Sequence, residues 1–171
     1  MPVLPANLND IPALASLLNN AYRGDESKAG WTSEAHLFRG NKRTDEDRIR
    51  DLLNSSGTVF LKFVNEPDNI IGCVFLQKKK SKLYLGMLSV SPTMQSKGIG
   101  KQLLKEAEVM AKMQNCTTIF MTVISIRKEL IKWYERHGYF NTGKTVPFPA
   151  EESSGTPVMP LEMIILEKIL P

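Results

Sequence analysis

The run Leu83-Tyr84-Leu85-Gly86-Met87-Leu88-Ser89-Val90-Ser91-Pro92-Thr93-Met94-Gln95-Ser96-Lys97-Gly98-Ile99-Gly100-Lys101-Gln102-Leu103-Leu104 decides the fold. Leu83 to Val90 reads as a strand, stopped by Ser91-Pro92. Gly100 to Gln114 reads as an amphipathic helix, with Leu103, Leu104, Ala107, Met110 and Ala111 on one face. The two glycines join strand to helix start. Backbone N–H groups there are unpaired and lie at the positive end of the helix dipole. A glycine lets a phosphate approach them closely, and Lys97 and Lys101 add charge. Neither the Walker A pattern nor G-x-G-x-x-G is present, so the residues allow two readings: a phosphate cradle, or a tight turn that binds nothing.

Outward from this run the elements fall into place. Thr118 to Ser125 is an apolar strand, and strand–helix–strand at this spacing makes it parallel to Leu83–Val90 with a right-handed crossover. Upstream, Thr58 to Val64, Ile70 to Leu76 and Leu83 to Val90 are close enough to form an antiparallel meander, with Lys78 to Lys82 at one tip. A first helix is capped by Asp10 and carries Ile11, Leu14, Ala15, Leu18 and Tyr22 on one face, with Gly24 as its stop. A short helix near Ala35 to Phe38 and another from Thr44 to Leu53 are expected next. Downstream, Lys128 to His137 reads as a helix, Tyr139 to Lys144 as a short strand, Val146 to Pro160 as a loop and Leu161 to Ile169 as a last strand. The sum is one α/β domain with a mixed sheet and helices on both faces.

Gln95-Ser96-Lys97-Gly98-Ile99-Gly100 matches the Gln/Arg-x-x-Gly-x-Gly/Ala signature of the GNAT superfamily of N-acetyltransferases. Trp133-Tyr134-Glu135-Arg136-His137-Gly138-Tyr139 resembles that family's Tyr-Glu-x-x-Gly-Phe/Tyr segment, and Asp10-Ile11-Pro12 its first-helix opening. The resemblance covers nearly the whole chain. It implies a single GNAT-like α/β domain over 1–171, with a mixed, mostly antiparallel central sheet and a parallel strand pair splayed at a β-bulge. It implies acetyl-CoA (CoA) as cosubstrate, its pyrophosphate held by Gln95, Ser96, Lys97, Gly98, Ile99, Gly100 and Lys101. The edge of Leu88, Ser89 and Val90 would hydrogen-bond the pantetheine arm, and the N–H near Leu88 would polarise the acetyl carbonyl.

In the family's pattern Tyr134 is the general acid for the departing thiolate; by helical spacing alone it is equally a core aromatic beside Leu130 and Ile131. Arg127 stands where many members carry an Asn, and would reach a CoA phosphate or the substrate. No carboxylate lies on Leu83–Val90 to serve as base, which leaves water relayed through Ser89, Ser125 or backbone carbonyls, or Glu34. Trp31 and Glu34 belong to the stretch Trp31 to Arg43 that, with the Val146–Pro160 loop, would shape the acceptor site. The expected function is an acetyl-CoA-dependent N-acetyltransferase acting on a primary amine of a small molecule, amino acid or peptide. The alternative is a non-catalytic acyl-CoA-binding sensor on the same fold. The family leaves a homodimer open.

Composition excludes other classes. Of 171 residues, 42% are hydrophobic and 23% charged, the balance of a globular chain. Cys73 and Cys116 are too few for a disulfide framework or a structural zinc site, and no His/Cys/carboxylate spacing suggests a metal. Met1 to Pro5 lacks a basic, apolar leader and no run approaches the ~18 apolar residues of a membrane span, so a cytoplasmic location and no membrane partner are expected. The net charge of +4 is accompanied by no aromatic-interleaved basic stripe, which argues against nucleic acid. Lys78–Lys82 begins the strand that ends at the glycine loop, so it lies about 26 Å from it, at a solvated hairpin tip.

Overall fold

The structure, a computed structural model, describes residues 3–23, 32–39, 43–149 and 156–171. In chain order its elements are β1 Val3–Pro5, α1 Ile11–Tyr22, β2 Phe38–Arg39, α2 Glu46–Asn54, β3 Thr58–Val64, β4 Ile70–Lys79 and β5 Lys82–Val90. They continue with α3 Ile99–Met113, β6 Thr118–Ile124, α4 Lys128–Arg136, β7 Phe140–Pro147, β8 Thr156–Pro157 and β9 Glu162–Ile169. Among the described residues seven strands form one sheet in the order β1-β3-β4-β5-β6-β9-β7. Its neighbours pair antiparallel except β5 and β6, which are parallel.

Side chains alternate across the pleat, so each strand feeds two cores. On one face Leu61, Val74, Leu76, Leu83 and Leu85 pack against Leu103, Leu104 and Ala107 of α3 and Ile131 and Tyr134 of α4. On the other, Phe60, Cys73 and Phe75 pack against Ile11, Leu14 and Leu18 of α1 and Ile49 of α2. The expected mixed sheet with helices on both faces is what forms.

Local differences have physical causes. Asp10 does not cap α1 with its side chain. Its carboxylate accepts from the Asn7 N–H at 2.9 Å and pairs with Lys62 Nζ, closing a 3-10 turn at Leu8–Asp10 whose cap is Asn7. The expected short helix at Ala35–Phe38 is a single 3-10 turn, Ala35–Leu37, followed by β2. Phe38 and Arg39 pair there with Pro157 and Thr156 of β8, and Leu37 and Phe38 are buried with Ile124, Phe148 and Leu161. Long-range pairing overrides helix propensity at this point. Strand β4 runs on to Lys79 and β5 begins at Lys82, so only Lys80 and Ser81 remain in the tip. Strand β9 inserts between β6 and β7, which the order of elements along the chain does not reveal.

Candidate active site

The sheet opens where β5 and β6 part. They pair only from Lys82 with Thr118 to Tyr84 with Phe120. Beyond that β6 is held by β9 alone as far as Ile124, while β5 follows β4 through a bulge. Gly86 faces Phe75 and Ser89 faces Cys73, leaving Met87 and Leu88 both opposite Val74. Met87 takes a left-handed φ of 52° to accommodate the extra residue. Gly86 permits this crowding, because a Cβ there would lie 2.7 Å from the Tyr84 hydroxyl.

A cavity of about 440 Å³ fills the opening. Leu88, Ser89 and Val90 form one wall, and Gln95, Ser96, Gly98, Ile99, Gly100 and Lys101 close one end. Arg127 and Tyr134 bound it from α4 and its start. Lys97 is exposed and is not on the cavity wall, although its neighbours Ser96 and Gly98 are. Ser125 is also off the wall. Trp31 lies outside the described residues.

The glycine loop opens α3 without a side-chain cap. Gly98 is the N-cap of α3 with φ 82°, and no side chain caps the helix. The first intrahelical bond runs from Gln102 N–H to Gly98 carbonyl, so the N–H groups ahead of it point out unshielded. Gly100 is needed for another reason: a Cβ there would press to 3.2 Å on the Trp133 ring. Gln95 donates from Nε2 to the Val90 carbonyl at 3.1 Å, which ties the loop back to β5.

Tyr134 belongs to the core and to the cavity at once. It is 5% exposed and meets the rings of Trp133 and Tyr139 edge-on. Burial, with Tyr22 and Tyr139 nearby, holds its phenol well above the usual pKa of 10. Tyr22, from the end of α1, was legible only as one more apolar position on a helix face. Its hydroxyl donates to the Leu88 carbonyl at 2.9 Å, and burial pushes its pKa up to about 12. Ser89 presents a buried hydroxyl with no hydrogen-bond partner among the described residues.

Glu34 and Arg127 meet each other. Arg127 Nη1 donates to Glu34 Oε2 at 3.0 Å, and Arg23 Nε donates to Glu34 Oε1 at 2.7 Å. All three side chains are 6% exposed or less. Arg127 Nη2 also donates to Thr32 Oγ1, whose hydroxyl donates to Glu129 at 3.0 Å. Arg127 is thus a cross-brace between α4 and the segment before β2, and Glu34 has a guanidinium on each oxygen. No sequence signal pointed to Arg23 or Thr32 as members of this group.

Residues 16–139 match the model of the acetyltransferase (GNAT) family. The chain belongs to that family. Its fold is shared with solved structures at low identity. The smu.2055 protein of Streptococcus mutans UA159 is 18% identical, with each chain covered in full and a TM-score of 0.75. The PaiA N-acetyltransferase of Thermoplasma acidophilum, solved in complex with coenzyme A, is 18% identical over 99% of this chain and 100% of its own, with a TM-score of 0.73. The ribosomal-protein-S18-alanine N-acetyltransferase of Escherichia coli is 13% identical over 98% of this chain and 92% of its own, with a TM-score of 0.70. No curated protein is significantly similar in sequence. No helix among the described residues is long and apolar enough to cross a membrane.

Proposed function

We propose that this protein transfers an acetyl group from acetyl-CoA to a primary amine of a small molecule, amino acid or peptide, by direct attack of the amine in a ternary complex. The observation that carries this reading is the splay of β5 from β6 at the Met87–Leu88 bulge, with a bare helix start at one end of the gap and Tyr134 on its wall. The residues fit the cosubstrate. The uncapped N-terminus of α3 suits a pyrophosphate, and the freed strand edge and the Ser89 hydroxyl, which has no partner among the described residues, suit a polar, extended arm. The coenzyme A complex of the Thermoplasma fold neighbour and the family match support the same assignment. The near-complete coverage of both chains supports reading 1–171 as one acetyltransferase domain.

Acetyl-CoA supplies an activated thioester. The chain supplies position and polarity. N–H groups of Gly98 to Lys101 would hold phosphate, and Lys101 would add a charge. The Leu88–Val90 edge would hold the pantetheine arm, and the Leu88 N–H would polarise the acetyl carbonyl. Tyr134 arrives with its proton on, because burial keeps it a phenol at neutral pH. A thiol ionises near ~8.5, below that phenol, so Tyr134 shares its proton with the departing sulfur through a hydrogen bond.

The test is release of free CoA across an amine panel, with acetyl-CoA binding measured beside it, for the wild type and Tyr134→Phe. The variant is expected to bind acetyl-CoA normally and lose about a hundredfold in kcat. Unchanged turnover removes Tyr134 from the mechanism. Tight binding with no turnover on any amine assigns the chain to the acyl-CoA sensors instead.

A further inference from the structure

We propose that the outer rim of this cavity, where Lys101, Arg136 and the Trp133–His137 ring pair meet, holds the adenosine 3′-phosphate of the cosubstrate. The chain would then take thioesters of free CoA in preference to those on a phosphopantetheine arm without the nucleotide, as on a carrier protein. The inference rests on the CoA-binding part of the function proposed above and deepens it.

The cavity gives the cosubstrate a direction. From a pyrophosphate at the start of α3, the pantetheine arm would run inward along Leu88–Val90 toward Tyr134. The nucleotide is the other substituent of that pyrophosphate, so it leaves the glycine loop toward solvent. Two helix ends border this exit. Lys101 stands in the first turn of α3 and Arg136 in the last turn of α4; both line the cavity and both are exposed. The helices meet through Trp133, whose ring lies 3.2 Å from where a Cβ on Gly100 would be. The His137 ring lies against the same indole, with centroids 4.2 Å apart and planes inclined by 39°. Its Nδ1 is 2.7 Å from the Trp133 carbonyl, which only accepts, so Nδ1 carries a proton and the ring is held in place.

These parts match the two features that set the nucleotide apart from bare phosphopantetheine. The first is a phosphate monoester with about two negative charges. Lys101 is a point charge, and the planar Arg136 fork fits phosphate oxygens in pairs. Neither side chain makes an ion pair or hydrogen bond with the rest of the described chain. The described cavity lining contains no Asp or Glu. Glu106 and Glu108 lie more than a turn beyond Lys101 on α3, and Glu108 is held by Lys168 Nζ at 2.9 Å. Glu129 stands at the opposite end of α4, and Glu135 is exposed and does not pair with Arg136. The second feature is a purine. A flat indole–imidazole surface beside the exit suits base stacking.

Binding to the full chain is measured by calorimetry for three ligands. These are CoA, dephospho-CoA, which lacks only the 3′-phosphate, and phosphopantetheine, which lacks the whole nucleotide. CoA is expected to bind at least tenfold tighter than dephospho-CoA, and dephospho-CoA at least threefold tighter than phosphopantetheine. In Arg136→Gln the ratio of CoA to dephospho-CoA affinity is expected to fall at least threefold. The exposed Arg136 braces nothing in the described fold, so the variant is expected to keep the wild-type Tm. Equal affinities for CoA and dephospho-CoA overturn the inference and leave the acetyl-transfer reading standing. An unchanged ratio in Arg136→Gln overturns it too, as does phosphopantetheine binding as tightly as dephospho-CoA. The expected discrimination without turnover on any amine upholds the rim and removes acetyl transfer. Failure to bind any of the three ligands overturns the function proposed above, and this inference with it.

Discussion

Two parts of the cavity wall are built from different materials. The glycine-loop end is made of backbone contiguous in the chain, Gln95 to Lys101, and its geometry follows from a strand, a positive-φ glycine and a helix start. Another part of its wall is made of side chains far apart in sequence: Tyr22 at the end of α1, Thr32 ahead of β2 and Arg127 ahead of α4, with Glu34 and Arg23 bracing Arg127 from behind. Backbone recognition is indifferent to most substitutions, because its N–H groups belong to every non-proline residue. Side-chain recognition changes with single residues.

This contrast can be broken experimentally, and the largest effect is expected in the side-chain part. Glu34→Ala leaves two buried guanidinium groups without their shared carboxylate, which costs about 3 kcal/mol or more and lowers Tm by roughly 10 °C. Acetyl-CoA binding to the folded fraction is expected to be unchanged. A variant as stable as the wild type shows the brace to be dispensable. The next effect belongs to the backbone part. Gly98→Val meets no neighbour among the described residues, none of which lies within 4 Å of its Cβ, but it forces a β-branched residue to φ 82°. Strain of about 2 kcal/mol there predicts roughly thirtyfold weaker acetyl-CoA binding with little change in acceptor preference. Undiminished binding means that the left-handed turn is not what forms the cradle.

Tyr22→Phe sharpens the comparison where the two parts meet. Losing one hydrogen bond to Leu88 costs about 1 kcal/mol. The expected signature is a severalfold fall in kcat with acetyl-CoA affinity retained, because the bulge loosens while the glycine loop does not. A rise in the dissociation constant for acetyl-CoA alone contradicts that division.

The smallest effect concerns pH. Burial holds the Cys73 thiol up to about 12 from 9.0 and the Tyr22 phenol up to about 12 from 10.0. The unfolded chain therefore gives up these protons first. Stability from these groups is complete below pH 9 and declines as pH rises from there toward 12. Thermal unfolding followed from pH 8 to 11 is expected to show a falling Tm, with a shallower fall in Cys73→Ala. A flat profile places these groups in a less buried setting.

Much of the fold was legible because it is written in local periodicity. β3 and β5 fall within a residue of where alternation and turn residues place them, and α3 and β6 do likewise. The loop at Gln95–Lys101 was legible because a helix start and a glycine need no distant partner. Other features left no local mark. Phe38 reads as a helix residue until β8 arrives to pair with it. Tyr22 reads as one more apolar position on α1 until its hydroxyl finds Leu88. Arg127 and Glu34 are 93 residues apart, and no spacing rule connects them.

By itself the sequence determined the order of the central strands and helices, the crossover that makes β5 and β6 parallel, and a glycine loop that opens α3 directly after β5. Each of these depends on residues within a few turns of one another, where periodicity and backbone sterics decide. Only the tertiary structure decided that β9 enters between β6 and β7, and that two arginines converge on one buried glutamate. It also placed a helix-end tyrosine on the bulge. Those outcomes depend on burial and pairing between distant segments, whose energies appear only once the sheet has brought them together.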